Sequence, residues 1–330
     1  MGYRVIPVLP SALYLTPYTF KYFCLKKKRK VNTVSADTLS VAEILKKVKE
    51  LEIRSKKLTA NFFTGEYHTA FKGRGMSFKE VREYSAGDDV RFIDWNVSAR
   101  MGAPFSKLFE EERELTMMLL VDISASSLFG TVQQRKKDLI TEVCAVLAFS
   151  AVNNNDKVGV IFFSEKIEFY IPPKKGREHV LYIVRELLTM QPKGKGTNLN
   201  EAVRFFNNAV KQKSIAFILS DFMVESYDDP LRVAGNRHDV VGVKVYDKMD
   251  MDLPEIGMVQ IEDSETGKIQ WVDTNDKMVQ YNYHQQFVQN EEACKLSFLK
   301  SGADLLYLRT DEDYVKVLQK FFLKRMKPAK

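Results

Sequence analysis

Met117-Met-Leu-Leu-Val-Asp-Ile-Ser-Ala-Ser126 is the stretch on which the architecture turns. Met117 to Val121 is a continuous apolar run, with no alternate polar position to face water, as expected of a strand covered on both faces in a parallel sheet. Four similar runs follow, at Val158–Phe163, Ile215–Leu219, Val240–Val245 and Leu305–Leu308. Between and after them apolar residues recur at helical spacing over 136–152, 178–188, 199–210, 277–300 and 313–326. Strands alternating with helices predict an α/β fold with a doubly wound, mainly parallel sheet. Ile167–Ile171, close behind the second strand, reads as an antiparallel edge partner, and Met258–Val272 as a hairpin turning at Thr266-Gly267.

Outward from this core the chain is expected to divide into 1–40, a basic, disordered extension; 41–114, an N-terminal helix and a small charged α+β segment; and 115–330, the α/β domain. With 330 residues and 45% hydrophobic content, the core is large enough to dominate stability. The net charge of +7 resides in the first 33 residues, through Arg4, Lys21, Lys26, Lys27, Lys28, Arg29 and Lys30. The remainder has 43 basic and 43 acidic side chains, so it lacks the positive excess that a nucleic acid would require. Nucleic acid is therefore excluded as a partner class. Val5 to Phe20 is uncharged but interrupted by Pro7, Pro10 and Pro17, and its cationic run, Lys26 to Lys30, follows rather than precedes it, which argues against a secretory signal or spanning helix. Membrane association is left to a minor reading as a membrane-surface adaptor. Cys24, Cys144 and Cys294 are too far apart to suggest a disulfide framework or zinc knuckle, and a reducing, cytoplasmic setting is expected. Ile44, Leu45, Val48 and Leu51 form an apolar stripe that predicts a helix docking on the main core.

Three fragments stand at strand ends or adjoining loops: Asp122-Ile-Ser124-Ala-Ser126, Gly194-Lys-Gly-Thr197 and Ser220-Asp221. Ligands of doubly wound sheets sit at the carboxyl ends of the strands, where the order reverses. If the first and fourth strands are neighbours, as in a 3-2-1-4-5-6 order, Asp122 and Asp221 face one crevice. With Ser124, Ser126 and Thr197 they offer only oxygen donors, which suit a hard cation such as Mg²⁺ or Mn²⁺ better than zinc. A lone Asp-x-Ser-x-Ser more often caps the next helix, and the Thr and second Asp at matching positions turn the balance.

Asp122, Ser124, Ser126, Thr197 and Asp221 resemble the metal-ion-dependent adhesion site of von Willebrand factor A-type domains. The segment Gly65–Glu114 (GEYHTAFKGRGMSFKEVREYSAGDDVRFIDWNVSARMGAPFSKLFEEERE) resembles the signature of the bacterial domain-of-unknown-function family 58. The resemblance implies a von Willebrand factor A-like fold, a metal-dependent protein-protein interaction module, and a MoxR-type AAA+ ATPase, with or without its client proteins, as partner. Ala125 departs from the glycine that many such domains carry. Within the signature block Arg74, Arg82, Arg91 and Arg100 alternate with Glu80, Glu83, Asp88, Asp89 and Asp94, a pattern that favours internal ion pairs. Arg74, Arg82, Asp94, Trp95 and Arg100 are the alternative docking surface.

No catalytic or cofactor-binding residue is assigned, and the expectation is that the protein is not an enzyme. The alternative is a Mg-dependent phosphohydrolase of haloacid-dehalogenase type with Asp122 as nucleophile, but such enzymes need an acid two residues on, where Ser124 stands. His68, His179, His238 and His284 are scattered, and no nucleophile-base pair can be assembled.

Overall fold

The computed structural model describes residues 23–25, 46–53, 77–85, 87–110, 115–128, 135–192, 194, 196–224, 227–263 and 269–326. Its strands are β1 (Phe23–Leu25), β2 (Ser77–Glu83), β3 (Phe105–Glu110), β4 (Thr116–Asp122), β5 (Lys157–Phe163), β6 (Ile167–Lys174), β7 (Ile215–Ser220), β8 (Asp239–Tyr246), β9 (Met258–Asp263), β10 (Ile269–Asp273) and β11 (Asp304–Arg309). Six of them form the central sheet in the order β11-β8-β7-β4-β5-β6. Numbered within that sheet alone, this is the expected 3-2-1-4-5-6 order. All its ladders are parallel except that between β5 and β6, so Ile167–Lys174 is the antiparallel edge strand.

Side-chain alternation divides the core into two layers. Met117, Leu119 and Val121 of β4, with Val160, Phe162, Phe217 and Val243, meet helices Lys136–Asn153, Arg177–Thr189 and Tyr314–Met326. Met118 and Leu120, with Ile161, Phe163 and Ile218, meet helices Leu199–Ala209, Asp228–Arg237 and Lys277–Ser301. Phe162, Phe163, Phe206, Phe217, Phe298 and Phe322 are fully buried, each contributing about 1.5–3 kcal/mol of burial free energy. The sheet and its flanking helices thus place the carboxyl ends of β4, β7 and β8 at one rim.

Helix 46–53 lies within the expected N-terminal helix and buries Val48 against the first layer. It is clamped to the helix Arg177–Thr189, because Arg177 Nε and Nη2 donate to Glu52 Oε1 and Oε2 at 2.7 and 2.9 Å. The sequence reading placed residues 1–40 in an unstructured extension. Phe23–Leu25 departs from that, pairing antiparallel with Asp263–Ile261 of β9. The strand is three residues of near-uncharged sequence set against an open edge of the β9–β10 hairpin, whose turn at 264–268 lies outside the described residues.

Helix Asp228–Arg237 was not expected from the sequence, since Pro230 and Gly235 obscure its pattern. Pro230 falls in the first turn, where no N–H is needed. Gly235 is required for a different reason. A Cβ at that position would lie 2.0 Å from the carbonyl oxygen of Ser301, so the two helices touch through backbone. Gly to Ala in a helix interior normally stabilises by up to about 1 kcal/mol. Here Gly235→Ala is expected to destabilise by ~1–3 kcal/mol, read as a lower urea midpoint at unchanged slope. A midpoint at or above that of the parent chain would show that the helices can separate freely.

Candidate metal centre

β4 and β7 are adjacent and parallel, with Val121 beside Leu219, so the residues that follow them emerge together. The strand order reverses between them, β5 lying to one side of the pair and β8 to the other. Asp122 and Asp221 are 2% and 5% exposed, and both line one crevice with Ser126, Lys136, Ile140, Ser220 and Val245. The Asp122 carboxylate is held on both oxygens. The Ser124 backbone N–H donates to Oδ1 at 2.9 Å, and the Ser220 hydroxyl donates to Oδ2 at 2.6 Å. Ser124 Oγ and Ser126 Oγ lie 2.9 Å apart, both buried. The Asp-x-Ser-x-Ser loop is therefore folded on itself, directing three side chains inward.

Thr197 arrives by a different route. Ser164 follows β5, whose Phe163 pairs with Asp122, and its carbonyl accepts the Asn198 N–H at 2.7 Å. The preceding loop is pinned by two acids, Gly194 N–H donating to Glu168 Oε1 and Gly196 N–H to Glu165 Oε1. A Cβ on Gly194 would stand 2.7 Å from Ser164 Oγ, so only glycine permits this approach. Asn198 then caps helix Leu199–Ala209 by accepting the Glu201 N–H, which leaves Thr197 as the last residue before the cap. Asp221 is positioned by strain. Phe222, directly after it, adopts φ of +53°, a conformation costing about 1–3 kcal/mol for a bulky residue. Packing of Phe222 against Phe298, with ring centroids 5.2 Å apart, and against Tyr227 holds it there.

Within the candidate donor set, two buried oxygens have no hydrogen-bond partner among the described residues: Thr197 Oγ1 and Asp221 Oδ2. Leaving such groups without a hydrogen bond is costly, and a cation within reach would satisfy them. Asp122, Ser126 and Asp221 line the crevice, whereas Thr197 does not. The donor set of two carboxylates and three hydroxyls fits a hard divalent ion. Among the described residues no group of three His, Cys, Asp or Glu side chains has metal-holding geometry, so hydroxyls are indispensable to this set.

Two site residues were not legible in sequence. Lys136, the first residue of helix Lys136–Asn153, is 2% exposed and places Nζ 2.7 Å from Asp250 Oδ2 and 3.8 Å from Asp221 Oδ2. Burial lowers the pKa of this ammonium, but the charges of Asp250 and Asp221 outweigh burial and leave it raised. Asp250 closes a capping box with Asp247 at the end of β8. Nothing in the Arg135-Lys136-Lys137 run marks one lysine as internal, although Asp247-x-x-Asp250 could be read as a helix start.

The alternative docking residues fall in a separate place. β2 and β3 form their own two-stranded sheet, bridged by a 3-10 turn and helix Trp95–Met101. Arg82 Nη2 donates to Asp88 Oδ1 at 2.7 Å; Asp94 caps the helix and lies 3.3 Å from Lys107. Trp95 is 71% exposed and Arg100 is exposed, while Arg74 lies outside the described residues.

The fold and the rim site define an α/β, doubly wound, von Willebrand factor A-like protein. The family described as "Protein of unknown function DUF58" matches residues 80–293, and the chain belongs to it. The uncharacterized protein Rv1480 of Mycobacterium tuberculosis is 29% identical over 285 residues, covering 86% of this chain and 90% of that one. Among solved structures, the hypothetical protein BatB from Bacteroides thetaiotaomicron is 17% identical with a TM-score of 0.42, covering 64% of this chain and 98% of its own. A von Willebrand factor type A protein from Catenulispora acidiphila is 9% identical with a TM-score of 0.38, covering 68% and 44%. Among the described residues no helix is long and apolar enough to cross a membrane.

Burial, and then the neighbouring Asp221 charge, push the Asp122 carboxyl up to about 6. A folded-state value above the unfolded one means that the native state binds more protons between about pH 4 and 6. Stability from this group therefore falls as pH rises through that window and is lowest above it. Asp122→Asn, in metal-free buffer, is expected to raise stability by about 1–3 kcal/mol at pH 8 and by little at pH 4, measured by urea unfolding at both. An equal effect at both would mean that Asp122 ionises without cost.

Proposed function

We propose that this protein is a metal-dependent interaction module that engages an acidic group on a partner protein through Mg²⁺ or Mn²⁺. The ion is held by Asp122, Ser124, Ser126, Thr197 and Asp221. The observation that carries this reading is the pair of buried oxygens without a hydrogen-bond partner, Thr197 Oγ1 and Asp221 Oδ2, at the same sheet rim as the hydrogen-bonded Asp122 loop. A cation with mostly neutral hydroxyl ligands retains positive charge and gains from one further anionic oxygen. The partner we propose is a MoxR-type AAA+ ATPase, alone or with a client, a choice that rests on resemblance to the family. A cytoplasmic setting suits the buried free thiols of Cys144 and Cys294. The phosphohydrolase reading has less support, because Ser124 occupies the position of the needed acid and its hydroxyl lies against Ser126.

Two measurements test the reading. Millimolar Mg²⁺ or Mn²⁺ should raise the melting temperature, and the double change Thr197→Ala, Asp221→Ala should remove the shift. In a pull-down with the purified ATPase, the same double change and a chelator should each weaken capture to a similar extent. Capture that survives both treatments would move docking to the block around Trp95. Metal-dependent hydrolysis of a phosphate ester, lost in Asp122→Ala, would replace the module with an enzyme.

A further inference from the structure

Lys136 is anchored from a part of the chain that has no other role in the metal centre. Its ammonium lies 2.7 Å from Asp250 Oδ2, and that oxygen also accepts the Asp247 N–H at 2.7 Å. Asp247 in turn accepts the Met249 N–H through Oδ1 at 3.0 Å and the Thr310 hydroxyl through Oδ2 at 2.6 Å. The turn after β8 is thus rigid, tied to the end of β11, and it fixes where the ammonium sits. The remaining contact of interest is Asp221 Oδ2 at 3.8 Å, too long for a hydrogen bond but close enough for strong charge interaction in a dry crevice. That oxygen is the one left without a hydrogen-bond partner. Lys244 is buried on β8 opposite Ser220, its Nζ lacking a hydrogen-bond partner and 5.6 Å from the Phe287 ring, and burial lowers its pKa.

We propose that Lys136 is a built-in counter-cation of the metal centre. Its ammonium offsets the Asp221 charge when no ion is bound and repels a divalent ion that approaches the same oxygen, so the resting site takes Mg²⁺ or Mn²⁺ weakly. The proposal rests on the metal reading above and adds what sets the affinity. Lys136 is no ligand; it acts through Asp221, and only its charge, not its bulk, enters the argument. Removing the charge strengthens metal binding. Removing the anchor at Asp250 shifts the ammonium's balance of contacts toward Asp221 and weakens metal binding.

The test is a Mn²⁺ titration of the full chain, with free Mn²⁺ followed by electron paramagnetic resonance, on the parent protein and on Lys136→Gln, Lys136→Arg and Asp250→Asn. Lys136→Gln should bind at least tenfold more tightly, Lys136→Arg should bind like the parent, and Asp250→Asn should bind several-fold more weakly. A purely structural lysine would move stability and leave these opposite shifts absent. Folded Lys136→Gln with parental or weaker affinity overturns the proposal alone, while the metal reading stands. If that variant does not fold, parental or tighter binding by Asp250→Asn overturns it. Should none of the four proteins bind at millimolar Mn²⁺, both the proposal and the metal reading fall.

Discussion

Asp122 and Asp221 end neighbouring parallel strands and are forced into one dry crevice, where two negative charges repel with little water to screen them. The rest of the rim follows from that constraint. Each hydrogen bond to the Asp122 carboxylate, from the Ser124 amide and the Ser220 hydroxyl, offsets part of the burial penalty. The carboxyl nevertheless stays well above its ordinary range, because burial and the second charge together exceed what two donors return. Asp221 is served differently. One oxygen accepts the Met223 N–H at 3.2 Å, and the other lies 3.8 Å from the Lys136 ammonium.

The same constraint explains why so much local strain gathers at the rim. Phe222 takes a left-handed backbone conformation immediately after Asp221, and only its aromatic packing in the second layer makes that tolerable. The loop to Thr197 is drawn over the end of β5 by Glu165 and Glu168, whose carboxylates each accept a backbone amide N–H. These devices do not strengthen the core, which the buried runs of β4, β5, β7 and β8 already secure. They place oxygen atoms at the carboxyl ends of the strands.

How far the molecule could be read from its residues depends on the range of the signal. The central strands were legible because burial on both faces leaves unbroken apolar runs, and Asp122, Ser124, Ser126 and Asp221 stand out as candidates because they follow those runs, whereas Thr197 lies in a loop before a helix. Lys136 and Asp250 were not, since their pairing joins elements far apart in sequence and only the fold brings a basic run at a helix start to an acidic turn after β8. Helix Asp228–Arg237 was hidden by the same physics in reverse. Its Pro and Gly read as breakers locally, whereas the tertiary contact with Ser301 requires the glycine. For β1 the sequence signal was too short, because three residues on a hairpin edge gain their hydrogen bonds from the partner strand rather than from any periodicity.

The signature block shows what its alternating charges are for. Arg82 is engaged with Asp88 and Ser85, Arg91 with Asp89, and Asp94 with both a helix start and Lys107. Tyr84 closes the same turn, its hydroxyl donating to the Asp88 carbonyl while its N–H reaches the Pro104 carbonyl. A hairpin of two strands cannot sustain itself by burial, so these pairs hold its turn and short helix in one shape. Exposed ion pairs contribute little each, and their value here lies in geometry rather than in free energy. Charges already committed to one another present little net field to a partner. Beside those pairs, the described residues of the block expose apolar surface at Val90, Trp95 and Met101.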